Sequence, residues 1–241
     1  MDLYNKIIEK TEKILEDNSK RVFTYSENKL WPENEKFELV MKREEAFELG
    51  EKGSANYMCV TTDENLLNKD EVVLIGKELS EIKEDLPYAR LVLVRVDKDS
   101  LDIENESEKA FRFIQKLDFV KYHVFPKGYM IRTSSENSKE QIRISKEALN
   151  KGICFEEVGN LFIKHYKEIE GVRNVRVVFL NKEGIDYDDL AKDSRKVHDI
   201  TMTLSKILEG MPTDCSMCSL KPVCDEVEGM RELHFGKGNG K

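Results

Sequence analysis

An α+β fold with one mixed sheet, packed helices and a cysteine-rich C-terminal appendix is predicted by three features of this 241-residue sequence. Strand patterns and helical patterns both occur, but they do not alternate strictly, which is typical of the α+β class. The strongest strand pattern, at 89–96, is apolar on both faces and therefore favours a buried, central strand. Three of the five cysteines fall close together near the C-terminus.

The individual elements follow from hydrophobic periodicity and from turn residues. Apolar residues recur at helical spacing in four segments, 2–17, 105–120, 155–169 and 187–208. Strand patterns cover 37–41, 57–61, 72–75, 89–96, 122–125, 129–132, 141–144 and 172–180. Ser145 is predicted to cap a further short helix that ends before Gly152. We therefore predict an N-terminal helix with a polar linker (1–35), one α+β domain (36–210) and a cysteine-rich segment with its tail (211–241).

The charge balance limits the classes of partner. The net charge is −8, charged residues make up 36% of the chain, and acidic and basic residues are mixed throughout. This pattern argues against a nucleic-acid backbone or an anionic membrane as the main partner. No apolar run reaches the length of a membrane span, and the N-terminus lacks the pattern of a signal peptide. We expect a cytoplasmic protein whose cysteines stay reduced rather than forming disulfides.

The clustered cysteines predict a metal centre. Cys215 and Cys218 are separated by two residues, so both thiolates can reach one ion or cluster from a single tight turn. Pro222 stiffens the connection to the third thiolate, Cys224, and His234 is the best candidate for a fourth ligand. The alternative is three unliganded thiols in a C-terminal tail. It agrees less well with the sequence, because clustered, exposed thiols would oxidise readily. The spacing alone leaves zinc and iron–sulfur equally open.

The other potentially reactive residues carry weaker patterns. Cys59 and Cys154 each sit among apolar residues and are predicted to be buried thiols. His165 lies beside an apolar helical stripe and is predicted to be a packed residue rather than a base. His123 lies on a predicted strand, and neither it nor His198 has a partner visible in the sequence. The sequence contains neither a phosphate-binding glycine loop nor a nucleophile elbow.

The sequence resembles the acetyl-CoA synthase subunit of the carbon monoxide dehydrogenase/acetyl-CoA synthase complex. The most specific match is Ile-Arg-Ile-Ser-Lys-Glu-Ala-Leu-Asn-Lys-Gly at 142–152. It continues through 157–161 and 175–177, and a weaker match covers 73–82. The resemblance, which runs from about Phe37 to Gly236, implies a truncated version of the subunit. It corresponds to the middle domain, which contacts a methyl-carrying corrinoid iron–sulfur protein, and to the start of the catalytic domain, which holds a nickel–iron–sulfur centre.

The resemblance also implies ligands. Cys215, Cys218 and Cys224 match the first three of the four cysteines that bind the family's cubane, which favours a 4Fe–4S cluster over zinc. Five residues separate Cys218 from Cys224, which is fewer than the family has between its second and third cysteines. His234 stands where the family's fourth cysteine is expected. The family's later Cys-Gly-Cys motif for a second nickel lies beyond the end of this sequence. Gln141 replaces a tryptophan that is implicated in coenzyme A binding.

Three functions are therefore expected, and they follow in descending order of their support from the sequence. The first is a non-catalytic or accessory iron–sulfur relative that acts with a corrinoid protein in anaerobic one-carbon metabolism and passes it electrons. The second is a partial acetyl-CoA synthase that binds nickel at a cluster thiolate and is completed by a partner chain. The third is a zinc-stapled interaction module without a redox role. The sequence leaves open whether the chain is an enzyme.

Overall fold

The computed structural model describes residues 2–36, 46–134, 139–210, 218–227, 230 and 233. Over these residues the chain forms six helices and eight strands. The helices are α1 (Asp2–Glu16), α2 (Ile103–Val120), α3 (Lys146–Asn150), α4 (Phe155–Lys167), α5 (Tyr187–Leu208) and α6 (Lys221–Glu226). The strands are β1 (Arg21–Thr24), β2 (Ala46–Leu49), β3 (Ser54–Thr61), β4 (Glu71–Ile75), β5 (Tyr88–Val96), β6 (Tyr129–Ser134), β7 (Lys139–Ser145) and β8 (Val172–Leu180).

The core is a five-stranded mixed sheet with the order β1-β4-β8-β5-β3. The pairs β4–β8 and β3–β5 are parallel, whereas β1–β4 and β5–β8 are antiparallel. All four side chains from Leu91 to Val94 on β5 are fully buried, as their run of apolar residues predicts. The α+β class with a mixed sheet is confirmed, and β5 is an interior strand. The middle position itself belongs to β8.

A second, antiparallel sheet has the order β2-β7-β6. A single sheet was predicted, and this second sheet corrects that prediction. Burial alternates along β7, with Ile142 and Ile144 on the buried face and Gln141 and Arg143 half-exposed. Such alternation reveals a half-buried strand but does not show which strands it pairs with, since pairing depends on partners distant in sequence.

Helices cover the large sheet and connect to it through specific contacts. Thr11 on α1 shares a buried hydrogen bond of 2.9 Å with the hydroxyl of Tyr57 on β3. Ser194 on α5 both accepts from and donates to the backbone of Asn56, at 2.8 Å each way. The predicted cap of α3 is confirmed, because the hydroxyl of Ser145 accepts from the backbone N–H of Ala148 at 3.1 Å.

Two local predictions were wrong, and a third lies outside the described residues. Residues 122–125 form a turn after α2 rather than a strand, because the backbone N–H groups of Tyr122 and His123 bond back to the last carbonyls of the helix. The polar linker contains β1, a short edge strand whose Val22 is 49% exposed, so no burial pattern marks it. The strand predicted at 37–41 lies outside the described residues.

Gly159 belongs to the segment 157–161 that resembles the family. Helix α4 approaches β4 closely at this residue, which leaves no room for a side chain. A Cβ atom placed here lies 2.5 Å from Cγ2 of Val72 and 3.1 Å from Cε2 of Phe179, and both of those side chains are fully buried. We expect Gly159→Ala to lower the free energy of unfolding by about 1–3 kcal/mol through overpacking. Urea unfolding measures this loss.

A second substitution separates overpacking from other effects. Val72→Ala removes the methyl groups that the new Cβ contacts, so it is expected to recover part of the stability in the Gly159→Ala background. Strict additivity of the two substitutions contradicts the close-approach explanation.

Candidate metal centre

Two of the predicted ligands, Cys218 and Cys224, lie in the described part of the chain, and both are half-buried. Cys218 precedes α6, and its carbonyl accepts from the N–H of Lys221 at 3.2 Å. Cys224 lies within α6, where its N–H donates to the carbonyl of Leu220 at 3.3 Å. Pro222 was predicted to stiffen a loop. It occupies the first turn of this helix instead, where its missing N–H has no partner to lose.

The segment around α6 packs on the rest of the fold through α5. Val223, Cys224, Val227 and Leu233 are partly buried and pack against the hydrophobic core. The side chain of Met230 is fully buried within that core. The structure therefore places the third thiol on a short helix that contacts the folded domain.

Cys215 and His234 lie outside the described residues. Within the described ranges, no three His, Cys, Asp or Glu side chains come together as a metal site. The convergence of Cys215, Cys218 and Cys224 on one centre therefore stays a prediction. The donors that are described are sulfur atoms, which suit iron–sulfur clusters and zinc better than they suit magnesium or calcium.

The two remaining cysteines belong to the domain core and its edge. Cys59 on β3 is fully buried, as predicted, and burial raises the pKa of its thiol. Cys154 occupies the N-cap position of α4 and is half-buried, whereas a buried thiol was predicted. Burial also raises the pKa of Cys154. Raised pKa values keep both groups as thiols, which are poor nucleophiles and poor metal ligands.

Two histidines make contacts that the sequence did not reveal. His165 on α4 is 2.8 Å from a carboxylate oxygen of Glu33 and 3.5 Å from one of Glu168. The ring of His123 stacks on Phe119 with centroids 3.3 Å apart, and its Nδ1 lies 2.8 Å from the carbonyl oxygen of Phe119. Each arrangement fixes the histidine ring locally.

A fully buried ion pair joins the two sheets. Nε and Nη2 of Arg90 on β5 donate to the two carboxylate oxygens of Glu140 on β7, at 2.8 and 2.7 Å. The amide of Asn56 donates to the same carboxylate. Burial alone lowers the pKa of Arg90, but the nearby Glu140 carboxylate outweighs this effect, and the pKa lies above its ordinary value. The guanidinium group therefore stays charged inside the protein.

A second buried pair touches the first. Nη2 of Arg90 also donates to the carbonyl of Lys121 at 2.9 Å, and the ammonium of Lys121 lies 2.8 Å from Asp118. Burial lowers the pKa of Lys121, whereas Asp118 and Tyr122 raise it, and the net shift is upward. Neither buried pair was predicted from the sequence. The available signal was Arg90, which directly precedes the apolar run Leu91–Val94 of strand β5, because a buried arginine requires a partner.

An open groove lies between the end of α2 and the edge strand β6. Its volume is about 230 Å³. The lining is mainly aromatic and aliphatic, and consists of Tyr122, Val124, Phe125, Pro126, Tyr129, Ile131 and Thr133. The hydroxyl of Tyr129 is hydrogen-bonded to that of Tyr88 at 2.9 Å, which fixes this wall of the groove. Gln141 pairs with Arg132 in the ladder between β7 and β6.

The fold and the cysteine pattern define an α+β protein with a thiol-bearing candidate metal segment. The chain belongs to the family of the CO dehydrogenase/acetyl-CoA synthase complex beta subunit, whose model matches residues 34–184, more than half of the chain. The matched residues include both sheets except β1, and they do not include the cysteine segment. No curated protein matches this sequence. No helix in the described ranges is long and apolar enough to cross a membrane.

Proposed function

We propose that this acetyl-CoA-synthase-related protein binds a 4Fe–4S cluster through Cys215, Cys218, Cys224 and His234. In this proposal it acts as an accessory, non-catalytic relative beside a corrinoid protein in anaerobic one-carbon metabolism. The observation that carries the proposal is the position of the cysteines. They follow a domain of the acetyl-CoA synthase family, and α6, the helix that carries Cys224, packs on α5. A cluster of this kind supplies one-electron transfer.

The chemistry of the donors supports a cluster. Two-residue spacing of cysteines recurs in iron–sulfur sites. Cys218 and Cys224 are both half-buried rather than fully solvated, and Cys224 packs against the core. Partial burial lowers solvent access to a cluster and so influences its reduction potential. Cys59 is enclosed in the large sheet and is unsuited to ligation without unfolding.

The accessory role is supported by the ligand at the fourth position. His234 stands where the resemblance places a fourth thiolate. An imidazole ligand raises the potential of an iron–sulfur centre relative to an all-cysteine site, which suits electron transfer at a different potential rather than the same reaction.

The corrinoid partner and the domain division are further parts of this proposal. The resemblance relates residues 36–210 to the middle domain of the related subunit, and we infer from it that a methyl-carrying corrinoid iron–sulfur protein docks on this domain. In the proposed division, residues 1–35 carry the N-terminal helix α1 and the edge strand β1, and 211–241 are the cysteine-rich segment. The family match begins at residue 34, close to the first of these boundaries.

Metal analysis of anaerobically purified protein tests the proposal. We expect about four irons and four sulfides per chain, a broad visible absorption and an electron paramagnetic signal after reduction. Cys218→Ser and Cys224→Ser are expected to lose most of the iron. Cys154→Ser is the matched control, because this cysteine is also half-buried but lies at the N-cap of α4, where serine is well tolerated, and it should keep full iron content.

The other outcomes identify the alternative functions. A colourless protein with one zinc per chain, lost in the same variants, supports a zinc-stapled interaction module and refutes the redox role. Stoichiometric nickel together with methyl-transfer activity supports a partial acetyl-CoA synthase. Purified corrinoid iron–sulfur protein should bind the wild-type chain in an anaerobic titration, and absence of binding refutes the proposed partner.

A further inference from the structure

Met230 lies beyond α6, and its side chain is completely buried, with 0% exposure, as part of the hydrophobic core. Its backbone N–H donates to the carbonyl of Val227 at 3.2 Å, and Val227 in turn donates to Val223 at 2.9 Å. A continuous series of backbone hydrogen bonds therefore leads from this buried side chain back into the helix that carries Cys224.

Helix α6 has little stability of its own. It spans six residues, and none of its side chains is fully buried. Isolated helices of this length do not persist in water, because nucleation of a helix is unfavourable and few bonds repay it. The position of α6, and of Cys224 on it, therefore depends on apolar contacts made by neighbouring residues. Met230 is the described residue of this region with the most complete burial.

We propose that Met230 is a positioning residue for the candidate metal centre, and that its burial holds α6 and Cys224 against α5 before any metal binds. The part of this inference that concerns metal rests on the proposed function. A site whose ligands are already held in place binds metal more tightly than one that must be ordered on binding, because only the ordered fraction is competent. Metal affinity should therefore depend on this buried methionine, although its side chain is not a ligand of the cluster.

Met230→Ala tests the inference through the reactivity of individual thiols in metal-free, reduced protein. The measurement is the rate of iodoacetamide modification of each cysteine, determined by mass spectrometry of peptides. We expect Cys224 to react about tenfold faster in the variant, because local opening of α6 becomes more populated. Cys59, enclosed in the large sheet, should remain slow and reports that the domain is still folded.

Two further variants separate positioning from general damage. Met202→Ala is the matched control, because this methionine lies on α5 but is 40% exposed, and its loss should leave the rate at Cys224 unchanged. Met230→Leu keeps the volume and the apolar character of the side chain, so it should restore the wild-type rate. An unchanged rate at Cys224 in Met230→Ala overturns the inference.

Metal binding is then measured by competition between each variant and a chelator, with Zn²⁺ as the probe under anaerobic conditions. We expect an affinity about tenfold lower for Met230→Ala and wild-type affinity for Met202→Ala and Met230→Leu. Faster modification with unchanged affinity overturns the role at the metal centre. If even the wild-type chain takes up neither zinc nor iron, the proposed function fails and so does the role of Met230 in metal binding. The modification rates still decide separately whether Met230 holds α6.

Discussion

Glu140→Gln is expected to lower the free energy of unfolding by about 3–5 kcal/mol, because it leaves the buried guanidinium of Arg90 without a negative partner. Arg90 and Glu140 are both fully excluded from solvent and are joined by two hydrogen bonds of 2.7 and 2.8 Å. The neutral amide keeps the shape of the carboxylate but not its charge. Its NH₂ group is a hydrogen-bond donor, and it would face the N–H donors of Arg90 and Asn56. Equilibrium urea unfolding under reducing conditions measures the loss.

Glu147→Gln is the matched control, because it makes the same chemical change on the surface. Glu147 pairs with Lys151 one helical turn away, and their side chains are 73% and 58% exposed. Exposed pairs of this type contribute about 0.3–0.5 kcal/mol. Equal losses in Glu140→Gln and Glu147→Gln contradict the importance of the buried pair.

Replacing both partners with apolar residues separates the charge from the packing. In Arg90→Met/Glu140→Leu no buried charge remains uncompensated, so the double variant is expected to be more stable than Glu140→Gln alone. Asn56 donates to the same carboxylate and loses its acceptor in this variant, which keeps the double variant below the wild type. The ion pair thus joins β5 to β7 at a position where apolar residues could also hold the two sheets together.

The sequence predicts the elements of this fold better than it predicts their pairing. Strand β8 and helix α5 begin and end where their patterns do, because long apolar runs with capping residues determine such elements locally. The ion pair between Arg90 and Glu140 connects residues that are fifty positions apart. No local pattern contains that information, so neither the ion pair nor the separate sheet that carries Glu140 was predicted.

At the candidate metal centre, too, the sequence predicts what depends on neighbouring residues but not what depends on packing between distant segments. The spacing of Cys215 and Cys218 is a local feature that predicts ligation from a single turn. Whether Cys224 faces the same point depends on α6, whose six residues carry no helical periodicity of their own, and the loop expected there proved to be a helix. Its stability comes from packing on α5, which becomes visible only once the chain is folded.

His234→Ala is expected to lose the cluster or to release its iron readily, whereas His234→Cys should keep it. The hypothesis is motivated by a competent ligand standing where the resemblance places a thiolate. The cysteine variant should also lower the reduction potential, by roughly 100 mV or more, because exchange of thiolates for imidazoles separates high-potential from low-potential iron–sulfur centres. Iron content and anaerobic redox titration measure both effects. His123→Ala, which removes an imidazole outside the cysteine segment, is the control and should match the wild type.

The dependence on pH distinguishes ligation from an indirect effect of the substitution. An imidazole binds metal only when it is neutral, so protonation competes with binding as the pH falls through the ordinary histidine range, at about 6.5. Loss of iron from the wild-type chain should therefore show a step in this range that is absent from His234→Cys. Unchanged iron content, spectra and potential in both variants rule out His234 as a ligand and leave solvent or a partner chain to complete the set.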